Sequence, residues 1–424
     1  MTASPLPEAT RPTVSIGFIA IYVLAQFGIW VALLTPVVMT LALRVGDIAS
    51  EAEKGRWLGI ILAIGGFVAL VATPVCGALS DRTRSRFGRR RPWLVGGLVV
   101  AGAGLLLLGL APNLLLLGLG WIICQAGFNA MQAGCLPILP DVIPVRWQGR
   151  VAGMLGMTST MGTFAGSWIT QYTQGSSLLM FLAPFAITVA AIGALCLILP
   201  DRPAQIRLED GGDDHRRLGP LALLRAIGAP FRDWDFSWAF TSRFLIMMAW
   251  SFLLTYQLFF LTDQLSLPRG EAMRVMVKSM AIIATATIAI SLIGGFITDW
   301  TGRRKPLVFL AATLEAAGFL TIAFAPSVPQ FLVGVAMAGI GKGLYFAVDL
   351  ALLAAILPRP EDSAKDMGVF QIANSLPQSL APAIAPIILA IGSASGDDYA
   401  VLYVVGCGFA LLGAITICPV RRSR

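Results

Sequence analysis

Charge is scarce in this sequence. Of its 424 residues only 13% are Asp, Glu, Lys or Arg, whereas a soluble globular chain carries roughly 25%. With 57% hydrophobic residues, a water-soluble fold of this length would lack the polar surface to cover itself. That excludes a cytosolic enzyme, a secreted disulfide scaffold and a disordered chain. Histidine occurs once, His215, in a polar stretch, which leaves no histidine metal site. The six cysteines, at 76, 124, 135, 196, 407 and 418, form no Cys-x-x-Cys pair and lie in or beside apolar runs, where a thiol packs as a small hydrophobe. There is no nucleophile–base set, no phosphate-cradling glycine loop and no nucleotide motif, so neither an enzyme nor a cofactor nor ATP-driven pumping is expected. The opening MTASPLPEAT lacks the charged region and cleavage pattern of a signal peptide.

Long apolar runs are what the sequence has in abundance. A membrane span needs about 20 mostly apolar residues. Twelve runs qualify: 16–41, 57–79, 93–111, 114–139, 150–171, 178–199, 237–261, 272–297, 307–325, 330–356, 367–391 and 399–419. The longest polar stretch, 200–236, divides them six and six, giving an N-terminal half (1–199), a linker (200–236) and a C-terminal half (237–424). With the N-terminus inside, 23 of the 31 Lys and Arg residues fall in inward-facing segments and 4 (Arg44, Lys54, Arg56, Arg269) in outward-facing ones; Arg243, Arg274, Lys278 and Lys342 lie within spans. Positive residues mark the cytoplasmic side, so both termini and the linker are expected there, in a multi-pass cell-membrane protein. The net charge of +8 is then a topology signal, not a nucleic-acid patch. An amphipathic segment near 218–230 would lie on the inner membrane face, and Arg421, Arg422 and Arg424 would hold anionic lipid.

The halves repeat. GALSD at 77–81 matches GFITD at 295–299, and RRRP at 89–92 matches RRKP at 303–306; APN at 111–113 matches APS at 325–327, and LP recurs at 139–140 and 357–358. Each second copy follows its first at a nearly constant spacing along the chain. Two six-helix halves related as parallel repeats describe one transporter architecture in particular. The segment GALSDRTRSRFGRRRPW (77–93) resembles the loop between helices 2 and 3 of the major facilitator superfamily. Its fuller form, with QFGIWVALLTP at 26–36, is similar to the glycoside–pentoside–hexuronide:cation and sucrose:proton symporters. The resemblance implies an all-α fold of twelve transmembrane helices in two pseudo-symmetric halves. It also implies alternating access around a midplane site lined by helices 1, 4, 7 and 10, and a monomer. Melibiose-type symporters of that group carry intramembrane aspartates in helices 2 and 4. Helix 2 here has no acid and helix 4 reaches one only at Asp141, so a proton is the expected coupling ion rather than sodium.

Asp81 and Asp299 end spans at matching places, each beside arginines (Arg89 and Arg90; Arg303 and Arg304). They are candidates for a gating latch, with topology-setting as the plainer alternative. Intramembrane charges mark functional sites. Arg243 and Asp349 lie about 10 Å inside helices 7 and 10 at 1.5 Å per residue and are expected to pair, as an inner-gate bridge or with Asp349 as a proton carrier. Lys342 is a candidate for substrate contact or for tuning Asp349. Glu315 is the other possible proton site, or a locally bonded glutamate. Substrate contacts are sought among Gln26, Gln125, Asn129, Gln132, Tyr256, Gln257, Gln371 and Asn374, with Trp30, Trp121 and Trp250 beside them; amides satisfy hydroxyls, but they also bond helix to helix. Gly153, Gly162 and Gly166 partly resemble an antiporter glycine motif, and glycine-rich packing gives the same spacing.

The sequence thus reads as a secondary active transporter of a small organic solute, with proton-coupled import of a sugar or glycoside-like compound placed first. Two alternatives stay open: proton-coupled export of a drug-like or secondary metabolite, and a non-transporting sensor on a transporter fold.

Overall fold

The computed structural model describes residues 15–51, 53–83, 85–200, 229–301, 305–356, 363–390 and 398–420. Among them all regular structure is helical. The long helices are α1 (Ile16–Ile48), α2 (Lys54–Arg82), α3 (Arg91–Leu110), α4 (Leu114–Cys135), α5 (Val145–Thr173) and α6 (Leu179–Ile198) in the first half. The second half holds α7 (Trp234–Gln264), α8 (Arg269–Thr301), α9 (Lys305–Ala323), α10 (Val328–Ile356), α11 (Ser363–Leu389) and α12 (Tyr399–Thr416). Eleven of these are long and apolar enough to cross a membrane. The exception is α5, the least apolar of the twelve, whose sequence is rich in Gly, Ser and Thr. With α5 counted as a twelfth pass, the start of α1 and the end of α12 share one face, called proximal here. The α1–α2 and α7–α8 connections share the opposite, distal face.

Helix ends are set by local chemistry. Side chains of Ser15, Asn113, Asp233 and Asp398 accept the first free backbone N–H groups of α1, α4, α7 and α12, which have no partner within the helix. Helix α1 continues past the end of the apolar run that announced it, because Arg44 donates to the Ala111 carbonyl at 2.7 Å and so is bonded where it lies. Within α1, Pro36–Thr40 forms a π turn; Pro36 has no N–H to give and Leu41 N–H reaches back to its carbonyl.

The packing repeats as the sequence does. Helix α3 packs on α4 and α9 on α10; α1 meets α5 and α6, and α7 meets α11 and α12. The halves touch through α2 against α11 and α5 against α8, two contacts exchanged by the same two-fold. Glycine makes the α3–α4 crossing possible. A Cβ on Gly104 would stand 2.6 Å from Cys124 N and 2.8 Å from Gly120 O; a Cβ on Gly318 would stand 2.7 Å from Ala338 N and from Gly334 O. The step along the chain from Pro92 to Pro306 also carries Gly104, Gly120 and Cys124 onto Gly318, Gly334 and Ala338. In lipid there is no hydrophobic drive between helices, so such close backbone approach supplies the association. Gly162 and Gly166 of the sequence motif serve the α1–α5 crossing: a Cβ on Gly162 would stand 3.0 Å from Val31 N.

Replacing Gly318 by alanine should therefore force α9 and α10 apart, at about 1–3 kcal/mol, and lower the melting temperature of the purified protein. Gly193→Ala, where an added Cβ meets open space, should leave it unchanged. Equal melting curves for the two variants would contradict this account of the crossing.

Candidate functional site

A small cavity lies where the halves meet. Its walls are Thr160 and Thr163 of α5, Trp250 and Leu254 of α7, Met280 and Ile283 of α8, and Lys342 of α10. Both halves contribute, so any rocking of one against the other must reshape it. The Lys342 ammonium stands 3.9 Å from the centroid of the Trp250 ring and 5.6 Å from that of Phe346, a cation held on aromatic faces. Among the described residues no carboxylate lies within salt-bridge distance of it. Trp250 is 5% exposed, and its indole N–H has no hydrogen-bond partner among the described residues. Thr163 donates to the Ser159 carbonyl at 2.9 Å, which leaves its hydroxyl oxygen able to accept.

Glu315 lies behind Lys342. It is 1% exposed, packed against α10 where a Cβ on Gly341 would stand 3.2 Å from its own Cβ, and its Oε1 has no hydrogen-bond partner among the described residues. No contact ion pair joins Glu315 and Lys342 among the described residues.

The amides foreseen as ligand contacts are engaged between helices. Gln26 donates to Gln132 Oε1 at 3.0 Å, tying α1 to α4. Asn129 donates to the Gln125 carbonyl at 2.8 Å and accepts from Thr73 at 2.6 Å, tying α4 to α2. Gln257, fully buried, donates to Ser279 of α8. Tyr256 donates to the Gly55 carbonyl across the halves at 3.3 Å. Within α11 the backbone carbonyl of Asn374 accepts from the Gln378 amide at 3.4 Å. Of the three tryptophans, Trp250 lines the cavity, whereas Trp121 is buried over Gly65 and Trp30 packs on Gly162. Arg243 is buried with its guanidinium 5.0 Å from the Phe370 ring. Arg303 and Arg304 lie outside the described residues, as do the side chains of Asp81, Asp299, Asp349 and Gln371 and the segments 218–228 and 421–424.

At the proximal face, Arg90 is buried and donates to Asp141 Oδ2 from Nη2 at 2.9 Å and from Nε at 3.2 Å, and to Ser80 Oγ at 2.9 Å. Arg91 donates to the Leu199 carbonyl at 2.7 Å, holding the end of α6. Arg89 is half-buried. Gly88, at φ 98°, supplies the left-handed turn that aims these arginines inward. Asp141 as partner to Arg90 is absent from the sequence reading.

At the distal face two ion pairs join the halves, and neither was foreseen. Lys54 Nζ lies 2.7 Å from Asp263 Oδ1, and Arg269 pairs with Asp47. Asp47 and Asp263 end the distal parts of α1 and α7, and Lys54 and Arg269 begin α2 and α8. The two acids are separated by almost the same length of chain as the two bases. The pairs are therefore counterparts under the repeat. Glycines of α2 nearby touch α11: a Cβ on Gly59 would stand 2.7 Å from Pro386 Cγ, whereas one on Gly77, toward the proximal end, would meet nothing within 4 Å. The structure is closed at its distal side.

Twelve long helices in two like halves, a cavity between them and ionic closure on one side define the architecture of a membrane transporter, not an enzyme. A family model for the Major Facilitator Superfamily matches residues 13–313 and 279–424, and the chain belongs to that family. A solved nucleoside transporter, NupG, superposes with a TM-score of 0.71 at 13% identity, covering 95% of this chain and 98% of that one. A bacterial homologue of the human lysosomal transporter Spinster, inward-facing and unoccupied, gives 0.69 at 15% identity, covering 95% of each. An uncharacterised transporter of the family from Mycobacterium tuberculosis (strain ATCC 25618 / H37Rv) is 29% identical over 192 residues, 43% of this chain and 27% of that protein; the match thus spans about a quarter of that relative's length. The general alpha-glucoside permease of Schizosaccharomyces pombe is 36% identical over 63 residues, 15% of this chain and 11% of the permease. A sucrose transport protein of Arabidopsis thaliana is 27% identical over 135 residues, 28% of this chain and 24% of that one.

Asp263→Asn should loosen the distal closure. The Lys54 side chain keeps only 7% of its surface exposed and Asp263 keeps 25%, so the loss is discounted for solvent to about 1–3 kcal/mol, a shift of roughly 5- to 150-fold in the closed-to-open ratio. Thiol labelling of a single cysteine introduced beside Tyr256 should accelerate accordingly. An unchanged labelling rate would show that the pair does not hold the closure.

Proposed function

We propose that this protein is a secondary active transporter that works by alternating access and imports a sugar or glycoside-like solute together with protons. Both termini face the cytoplasm of a cell membrane, the orientation favoured by the basic residues of the proximal loops. The observation that carries the reading is the cavity between the halves, walled by Thr160, Thr163, Trp250 and Lys342 under the distal ion pairs. Hydroxyls, a ring face and a cation are the groups that hold a polyhydroxylated solute. The short stretches similar to a sucrose transport protein and an alpha-glucoside permease support the same class.

In this scheme Glu315 takes up and returns the coupled proton as Lys342 engages or releases the solute; a sealed carboxyl oxygen without a partner among the described residues, next to the cation of the cavity wall, is placed for that exchange. Arg243 and Asp349 form the second charged pair and close the proximal side, with Asp81 and Asp299 of the repeated loops as its latches. Asn129 and Gln132 exchange helix-to-helix bonds for solute bonds in the course of the cycle, with the Gln125 amide beside them on the same face of α4. The protein works as a monomer in lipid. A second reading, proton-coupled export of a drug-like or secondary metabolite, is favoured by one observation: Leu254, Met280 and Ile283 make much of the cavity wall apolar.

Proteoliposomes with an internal pH dye separate the readings. On addition of disaccharides or glycosides, symport acidifies the lumen; on addition of amphipathic drugs, exchange makes it alkaline. Glu315→Gln should abolish solute-driven proton movement while leaving solute-for-solute exchange. Coupled proton flux persisting in that variant would remove Glu315 from the coupling path, and no flux with any compound would favour a non-transporting role.

A further inference from the structure

The repeat provides an internal control for the charged pair. The step that carries Pro92 onto Pro306 and Gly104 onto Gly318 also carries Ala101 onto Glu315 and Phe128 onto Lys342. The crossings that hold these residues are the same structure. A Cβ on Gly127 of α4 would collide with the backbone of Ala101 on α3; a Cβ on its counterpart Gly341 of α10 would stand 2.9 Å from the backbone nitrogen of Glu315 on α9. In the first half an alanine and a fully buried phenylalanine complete the crossing. In the second half the same two places carry a carboxyl and an ammonium. The fold can thus be built at this crossing without charge, and charge inside a span is costly. Packing does not account for the substitution.

The cavity wall carries a cation and a sealed indole N–H, beside two threonine hydroxyls of which that of Thr163 can accept. The Lys342 ammonium brings three N–H donors and the Trp250 indole one. The ammonium has ring faces as neighbours, and the indole N–H, on a side chain 5% exposed, has no acceptor among the described residues. A buried donor left unmade is expensive, so the wall is completed by a ligand that brings the acceptor. We propose that the transported solute is an organic anion with one carboxylate-type group, taken jointly by Lys342 and Trp250, with its body against Thr160, Thr163, Leu254 and Met280. This inference rests on the reading of the cavity as a transporter's solute site and adds the charge of the solute to it. A carboxylate between Lys342 and Trp250 would accept charge-assisted hydrogen bonds, roughly twice as strong as neutral ones. Glu315 behind the lysine then disfavours the anion unless the carboxyl is neutral, which ties the solute's arrival to a proton.

The test uses the full-length protein in lipid nanodiscs and calorimetric binding of matched probes: phenyl glucuronide against phenyl glucoside, and 2-naphthoate against 2-naphthylmethanol. Each pair differs only in the anionic group. The expected result is an advantage of about tenfold or more for the anion of at least one pair, kept in Lys342→Arg and lost in Lys342→Met. The double variant Glu315→Ala/Lys342→Phe rebuilds the first-half crossing; it should fold with an unchanged melting temperature and show no preference for the anion. Equal affinities within both pairs, an advantage unaffected by Lys342→Met, or binding of chloride alone would overturn the proposal, as would no binding of any probe. Failure of the double variant to fold would overturn the internal-control argument, while the wild-type affinity ratio still decides the charge of the solute. If the charge preference fails while sugars still drive proton flux, the transporter reading stands without it. If both fail, the cavity is not a solute site.

Discussion

Close backbone contact between α3 and α4, and again between α9 and α10, is the constraint on which the rest of this structure depends. Helices in lipid gain nothing from hiding apolar side chains, since the surrounding tails are as apolar as they are. Gly104 and Gly120 in one half, and Gly318 and Gly334 in the other, remove the Cβ atoms that would hold the helices apart. Because the two crossings are built alike, the halves have one shape, and two bodies of one shape meet symmetrically: α2 on α11, α5 on α8. A cavity at that junction belongs to both halves.

Departures from that symmetry put charge inside the second half. The first half keeps its interior free of charge at the positions that hold Glu315 and Lys342 in the second. Trp250 supplies both the ring face that tolerates the ammonium and a second donor beside it. The frame and the cavity wall draw on different residues: glycines and small residues position the helices, and Thr160, Thr163, Trp250 and Lys342 supply the polar groups between them.

Much of the frame is readable from the chain. Apolar runs of the right length locate the twelve helices to within a few residues at most ends, because the hydrocarbon core sets both length and composition. The clearest difference in extent is at the distal end of α1, where the apolar run ends at 41 but the helix continues to Ile48, with Arg44 satisfied by a carbonyl 67 residues away. The scarcity of charge makes Arg243, Glu315 and Lys342 conspicuous without any structure. Pairings are less legible. Asn129 and Gln132 can be placed on one face of α4 by spacing alone, but that Thr73 and Gln26 meet them depends on how α1 and α2 lean. The ion pairs Lys54–Asp263 and Asp47–Arg269 span 209 and 222 residues. Their only sequence trace is the near-equal offset of the two acids and the two bases, meaningful once the two-fold is known.

That near-equality has an effect on the entrance itself. Each half gives the distal closure one acid and one base, so when the pairs part, each separated lip retains a positive and a negative group. The bridging residues leave neither lip with a net charge of its own. A mouth of that kind neither gathers anions nor repels them over a Debye length of about 8 Å at physiological salt. Under the proposed function, a solute entering there meets no net charge from these residues, and selection by charge falls to the interior.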